Sequence, residues 1–67
     1  MNINKDLINN YRKQKNLTVS DFCKKCNLSM SSYYKIMNSN SNTKVSKTLL
    51  FKVARFMNMH LSQMFIN

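Results

Sequence analysis

The chain is 67 residues long, 43% of its residues are apolar, and it contains neither Gly nor Pro. This length holds one domain, residues 1–67, with one small core, and it excludes an enzyme whose deep pocket lies between two lobes. Eleven Lys and Arg residues against two acidic residues give a net charge of +9, which is more than solubility requires of such a small domain. This charge indicates a polyanionic partner such as nucleic acid, although some small proteins are basic without binding one.

The chain carries no sequence signal for a membrane or for export. No stretch contains 18 consecutive apolar residues, and residues 1–6 lack the charged and then apolar pattern of a signal peptide. We therefore expect a cytoplasmic protein that makes no contact with membranes. Without Gly for hairpins or Pro to end helices, the composition favours an all-α fold whose turns use Asn and Ser.

The first predicted helix covers about residues 3–15. Its apolar residues recur at spacings of three and four, with Lys and Arg on the other faces, which is the pattern of an amphipathic helix. Asn16 is expected to take the left-handed conformation that ends a helix, so that Leu17 turns back onto the core.

Two short helices follow, separated by a three-residue turn. Thr18 and Asp21 form a predicted capping box, so helix two begins at the residue after Thr18. It ends after about two turns, where Asn27 is expected to be left-handed. Ser29 is the predicted N-cap of helix three, which runs to about residue 38.

Two further helices complete a predicted fold of five helices. Residues 39–42, Ser-Asn-Ser-Asn, contain no apolar side chain and predict an exposed loop. Ser46 caps helix four, Asn58 ends it, and a last short helix starting at His60 or Ser62 continues to the end of the chain. The residues predicted to face the core are Ile3, Leu7, Ile8, Tyr11, Phe22, Cys23, Cys26, Leu28, Tyr33, Ile36, Met37, Leu49, Leu50, Val53, Ala54 and Met57.

The predicted order of helices matches a helix-turn-helix motif at about residues 18–38. Two short helices separated by a three-residue turn, with one helix before and two after, form the plan in which the second helix enters the DNA major groove. The segment TVSDFCKKCNLSMSSYYKIMNS, beginning at Thr18, resembles the Cro and phage-repressor family, also called the XRE family. The resemblance extends to YRKQKNLT, beginning at Tyr11, and to LLFKVARFMNMHLSQMF, beginning at Leu49.

This resemblance implies a compact, lambda-repressor-like helix-turn-helix domain that needs no cofactor and has no enzymatic activity. It implies a transcription regulator of phage or plasmid origin, such as a repressor, that binds specific sites in double-stranded DNA. Four positions depart from the family pattern: Cys23 and Asn27 replace a smaller residue and a Gly, and the other two departures affect phosphate contacts. Val19 replaces a Gln that holds a phosphate, and Met37 replaces a Glu that pairs with the Arg matching Arg12, so Arg12 is expected to be free to contact a phosphate.

The predicted recognition helix supplies the candidate base contacts, since the exposed side chains near its N-terminus reach the base edges. The candidates are Met30, Ser31, Ser32, Tyr34 and Lys35. Lys35 can donate to guanine, the serines can serve either kind of base, and Met30 or Tyr34 can lie against a thymine methyl group. The alternatives are packing at the edge of the motif for Met30 and Tyr34, and a solvated charge or a phosphate contact for Lys35.

The candidate phosphate contacts lie at helix N-termini and around the loop after the recognition helix, where backbone amides and short polar side chains can hold an anion. They are Arg12, Thr18, Ser29, Asn38, Ser39, Asn40, Asn42, Thr43, Lys44 and Lys47.

Two cysteines separated by two residues, Cys23 and Cys26, suggest a zinc or redox site. With His60 they provide fewer than four metal ligands, and both lie on the apolar stripe of helix two. We therefore interpret them as buried reduced thiols and expect no metal. No carboxylate or nucleophile is spaced to act with His60, which leaves no basis for an enzyme.

Apolar residues are concentrated near the C-terminus: Phe56, Met59, Met64, Phe65 and Ile66. They either fill gaps in the core or form a patch through which a homodimer assembles on DNA, as in Cro-like dimers. Two alternative functions remain open from the sequence. One is a protein-interaction module on the same fold, such as an antirepressor or antitoxin, which the loss of Gln at Val19 favours. The other is a cationic peptide acting on membranes, which the separate helix caps oppose.

Overall fold

The structure, a computed structural model, describes residues 2–39 and 45–66 of the chain. In these residues the elements are β1 (Asn2–Ile3), α1 (Lys5–Gln14), α2 (Val19–Cys26), α3 (Met30–Met37), α4 (Lys47–Phe56), a 3-10 helix (Leu61–Met64) and β2 (Phe65–Ile66). The two strands pair antiparallel, with Asn2 opposite Ile66 and Ile3 opposite Phe65. No helix in the described ranges is long and apolar enough to cross a membrane.

Side-chain caps begin all four α-helices. The hydroxyl of Thr18 accepts from the amide of Asp21 at 3.1 Å, and the hydroxyl of Ser29 accepts from the amide of Ser32 at 3.1 Å. The Ser46 hydroxyl accepts from the backbone of Thr48 at the start of α4. These bonds satisfy amides that have no partner within their own helix, and they confirm the predicted caps at Thr18, Ser29 and Ser46. Of the capping box predicted for Thr18 and Asp21, only the bond from the Asp21 amide to the Thr18 hydroxyl is seen.

Three asparagines end helices by the same device. Asn16, Asn27 and Asn58 have φ angles of 55°, 59° and 57°, the left-handed region that Asn tolerates better than most residues. In each case the amide of the next residue donates to the carbonyl five positions before it, and that next residue is apolar and packs on the core: Leu17 to Arg12, Leu28 to Cys23 and Met59 to Ala54. This is how a chain without Gly makes its helix ends, and it confirms the left-handed conformation predicted for Asn16 and Asn27.

Both ends of the chain differ from the prediction. Ile3 was expected in helix one, but it lies in β1, and Asn4 caps α1 by accepting from the amide of Leu7 at 3.2 Å. The fifth predicted helix is a single 3-10 turn followed by β2, so the described residues contain four α-helices. The reason is tertiary: the two ends pair with each other, and the amide of Asn4 donates to the carbonyl of Met64 at 2.8 Å.

The core lies between the helices and is centred on Phe22. This ring meets Tyr33 and Phe56 edge to face, with centroids 5.8 and 5.6 Å apart. Six large side chains are less than 2% exposed: Phe22, Ile8, Ile36, Leu50, Met64 and Val53. Burying a side chain of this size stabilises the fold by about 1.5–3 kcal/mol. The apolar stripes of all four helices therefore meet in one core, which leaves the opposite faces for solvent or a partner.

Candidate nucleic-acid interface

The turn between α2 and α3 holds the two helices in a defined relation. Asn27 is left-handed, and Ser29 is extended at φ −80° and ψ 156°, so one helix ends and the next begins within three residues. The ammonium group of Lys52, on α4, donates to the carbonyl of Asn27 at 3.3 Å. The turn is thus tied to α4 as well as to its own helices. Sequence patterns alone assigned no such role to Lys52, because the contact spans 25 residues.

Helix α3 has a buried face and an exposed face. Tyr33 and Ile36 are buried, as predicted, whereas Met30, Ser31, Tyr34 and Lys35 are exposed. The exposed residues form two adjacent pairs at i, i+4 spacing, which places Met30 and Tyr34 in one row and Ser31 and Lys35 in the next. Four of the five candidate base-contact residues therefore share one surface.

Ser32, the fifth candidate, is only half-exposed and takes part in the helix cap. Its amide donates to the hydroxyl of Ser29, and the Ser29 hydroxyl in turn donates to that of Ser32 at 2.9 Å. These two serines hold the first turn of α3 in place. Contact of either serine with DNA stays a prediction.

The ring of Tyr34 packs against the ring of its neighbour Tyr33. The two rings meet edge to face, with centroids 5.5 Å apart and an angle of 87° between their planes. Tyr33 is itself held by Phe22 and by a hydrogen bond of 3.1 Å from its hydroxyl to Oδ1 of Asn9 on α1. Asn9 thus positions Tyr33, a role that local sequence patterns do not indicate because the contact joins residues 24 positions apart.

The candidate phosphate contacts are distributed unevenly over the described surface. Thr18, Ser29, Asn38 and Lys47 are exposed at helix ends, so each is accessible to an anion. Helices α3 and α4 have no acidic residue in their first turns, and their N-termini keep the positive end of the helix dipole unopposed. Four further candidates, Asn40, Asn42, Thr43 and Lys44, lie outside the described residues, as does most of the predicted loop.

The structure corrects the expectation for Ser39. Its side chain is only 3% exposed, and its hydroxyl donates to the carbonyl of Ile36 at 2.6 Å. The Ser39 carbonyl accepts a hydrogen bond from the ammonium group of Lys5, which ties α1 to the end of α3. A buried hydroxyl that closes the last turn of a helix is not available to a phosphate.

Arg12 makes a hydrogen bond within the fold, although the sequence predicted that it would be free to contact a phosphate. Its Nη1 donates to the carbonyl of Leu17 at 2.8 Å and braces the turn between α1 and α2. Its Nε is buried and has no hydrogen-bond partner among the described residues. The guanidinium is thus partly committed to the fold, and its contact with a phosphate stays a prediction.

The two acidic residues occupy the first turns of α1 and α2. Asp6 lies in the first turn of α1, and Asp21 lies in that of α2, next to the cap Thr18. A carboxylate at this position stabilises the helix but repels a phosphate approaching the same N-terminus. Among the helix starts, those of α3 and α4 are therefore the more favourable for DNA.

Cys23 and Cys26 are free, buried thiols, as predicted. Burial raises the pKa of both, and that of Cys26 reaches about 12 because the nearby Cys23 also disfavours a second thiolate. Within residues 2–39 and 45–66, no group of three or more His, Cys, Asp or Glu residues is placed to hold a metal ion. Such neutral thiols act as small core residues and are poor nucleophiles.

The C-terminal apolar residues mostly belong to the core, contrary to the exposed patch considered from the sequence. Met64 is fully buried, and Phe56, Met59 and Phe65 are half-buried and pack against the core. Ile66 is 47% exposed and is the one member of this group left largely open to solvent. His60 is exposed at the start of the 3-10 helix, where its amide donates to Oε1 of Gln63 at 2.9 Å.

Comparison with known proteins agrees with this geometry. A helix-turn-helix family model matches residues 8–64, from the first turns of α1 to the end of the 3-10 helix. The match covers the motif and most of the core that supports it. Searches of curated proteins and of solved structures each gave no match to the chain.

Proposed function

Because the chain belongs to the Cro and phage-repressor (XRE) helix-turn-helix family, we propose that it is a transcription regulator that binds specific DNA sites through α3 in the major groove. Membership of this family implies DNA binding, and its members are typically not enzymes. The exposed face of α3 carries the proposal. Met30, Ser31, Tyr34 and Lys35 form a continuous surface on a helix whose opposite side is anchored in the core.

The charge distribution supports the same proposal. The net charge is +9, and Lys47 lies exposed at the first position of α4, beyond the end of the proposed recognition helix. Lysines at this position can hold the phosphate backbone while α3 contacts bases. The other described candidates for phosphate contacts are Thr18, Ser29, Asn38 and Arg12, and Asn40, Asn42, Thr43 and Lys44 remain candidates beside them.

A selection experiment followed by salt titration tests the function. Sequences bound from a random duplex pool are identified, and affinity for the best site is compared with affinity for a scrambled duplex. For about six phosphate contacts, affinity should fall about 10³-fold between about 50 and 200 mM salt. The selected site should keep an advantage of at least about 10³-fold over the scrambled one.

Two lysine variants sharpen this test because they remove the same charge from different places. Lys47→Ala should weaken binding to every duplex and reduce the slope of log affinity against log salt by about 0.9. Lys24→Ala, on an exposed position of α2, should change that slope less. Equal binding to selected and scrambled duplexes by all proteins would contradict the regulator proposal and favour a protein-interaction module.

We also propose that two copies bind together, with their α3 helices in half-sites about one turn of DNA apart. Ile66 is exposed in β2 beside half-buried Phe65, which makes this end of the chain the candidate contact between copies. Ile66→Ser should weaken assembly on DNA, measured by sedimentation. Phe51→Ser, which changes a 55% exposed residue on α4, is the matched control. If neither variant alters the stoichiometry, the contact lies elsewhere.

A further inference from the structure

The exposed face of α3 is unusual in carrying two large apolar side chains in one row. Met30 is 45% exposed and Tyr34 is 47% exposed, and their i, i+4 spacing places them side by side on the helix. One exposed apolar residue on a protein surface needs no explanation. Two adjacent ones, on the helix proposed to enter the groove, form an apolar surface where base edges are expected.

The polar groups on this helix are poorly suited to reading bases by hydrogen bonds alone. The residues that most often read bases by hydrogen bonds are Arg and Lys for guanine, Asn and Gln for adenine, and the acids for cytosine. Of these, only Lys35 occurs in α3, whose sequence is MSSYYKIM. Lys35 and Ser31 remain as hydrogen-bonding groups in the row next to Met30 and Tyr34.

The major groove offers one apolar group that distinguishes bases, the C5 methyl of thymine. An exposed Met side chain adapts its shape to such a group, and a Tyr ring offers it a flat apolar face. The Tyr34 ring packs on one side against the buried ring of Tyr33, with centroids 5.5 Å apart. Tyr33 itself is held by Asn9 and Phe22. A restrained ring loses less conformational entropy on contact with DNA than a mobile one.

We propose that Met30 and Tyr34 form an apolar reading row that selects thymine through its C5 methyl group. Lys35 and Ser31 add hydrogen bonds to neighbouring bases or phosphates. The proposal rests on the function proposed above, with α3 in the major groove, and it names the chemical group that this surface recognises. Sites bound by the protein are accordingly rich in thymine at the positions facing the first turns of α3.

Replacing thymine by deoxyuridine tests the proposal directly, since this change removes the C5 methyl and leaves every hydrogen-bonding group of the base in place. In the best selected site, each thymine is replaced in turn and affinity is measured. At thymines that face the reading row, affinity should fall about fourfold for each methyl group covered. At thymines elsewhere in the site it should not change.

Protein variants assign the effect to the two side chains. In Met30→Ala and Tyr34→Ala, the ratio of affinities for thymine and deoxyuridine at the sensitive positions should move toward one. Phe51→Ala, which alters another exposed apolar residue, should keep the wild-type ratio. Circular dichroism and thermal unfolding check that each variant is folded, and Tyr34→Leu provides a second variant that keeps an apolar side chain.

The outcomes distinguish failure of the reading row from failure of the regulator function on which it rests. If the protein selects a specific site but deoxyuridine changes nothing at any position, the reading row is wrong and the regulator function stands. The same holds if folded Met30→Ala and Tyr34→Ala keep the full discrimination. If no sequence is selected from the pool, the regulator function fails and the reading row fails with it.

Discussion

The hydroxyl of Tyr33, on α3, donates a hydrogen bond of 3.1 Å to Oδ1 of Asn9, on α1. Tyr33 is 3% exposed, so this bond holds one side of the helix proposed to read DNA against the first helix of the fold. The neighbouring Tyr34 projects outward from the same backbone. Of these two adjacent residues, Tyr33 therefore anchors α3 to the fold and Tyr34 faces the solvent.

Tyr33→Phe removes only the anchoring hydroxyl and leaves the Asn9 side chain without this partner. We expect it to lower the free energy of unfolding by about 0.5–1.5 kcal/mol. Tyr34→Phe removes the same group from an exposed ring and should change stability by less than about 0.5 kcal/mol. Urea denaturation measures both. Equal effects in the two variants would show that the bond to Asn9 contributes nothing to stability.

The end of the chain offers a second matched pair, Met64 and Ile66. Met64 is fully buried, whereas Ile66 is 47% exposed, although only Phe65 lies between them. Met64→Ala should lower the free energy of unfolding by about 2–5 kcal/mol because it leaves a cavity in the core. Ile66→Ala should lower the free energy of unfolding by less than about 1 kcal/mol. Similar losses measured by thermal or urea unfolding would contradict the position of Met64 in the core.

Asp21 is expected to limit the affinity for DNA at the start of α2. Asp21→Asn removes the carboxylate beside Thr18, and affinity for all duplexes should rise about two- to fivefold at low salt. Asp6→Asn makes the same change in net charge at the start of α1 and serves as the control. Fluorescence anisotropy with a labelled duplex measures both variants. If the two substitutions raise affinity equally, the effect is one of net charge and Thr18 is not near a phosphate.

The buried thiols predict a loss of stability at alkaline pH. Folding raises the pKa of Cys26 to about 12 from the ordinary thiol value of 9.0, so the folded state holds the thiol proton more tightly than the unfolded state. The stabilisation from this thiol is therefore complete at pH values below its pKa in the unfolded chain. It is lost as the pH rises toward its pKa in the folded protein.

Cys26→Ala isolates this contribution, since the tyrosines and lysines titrate in both proteins. The variant should be less stable than the wild type at about pH 7, because a buried group has been removed. Between about pH 8 and pH 11, however, it should lose less of its stability than the wild type. Urea denaturation across this range gives both curves. Parallel curves would mean that the Cys26 thiolate is tolerated in the folded protein.

Local patterns in the sequence determined the motif itself. The caps at Thr18, Ser29 and Ser46 and the left-handed Asn16 and Asn27 were predictable, because each depends on atoms within about five residues of chain. The burial of Tyr33 and the exposure of Tyr34 followed from helical spacing in the same way. The family resemblance was visible in these same segments, and the match over residues 8–64 confirms it.

Only the tertiary structure decided the ends of the chain and the contacts that join distant helices. The pairing of β1 with β2 converted the expected first and last helical turns into strands, since the backbone groups of each end are satisfied by the other. The bonds from Tyr33 to Asn9 and from Lys5 to the carbonyl of Ser39 also connect residues far apart in the chain. Hydrophobic spacing describes one helix at a time, so it contains no information about which polar side chains meet when the helices pack.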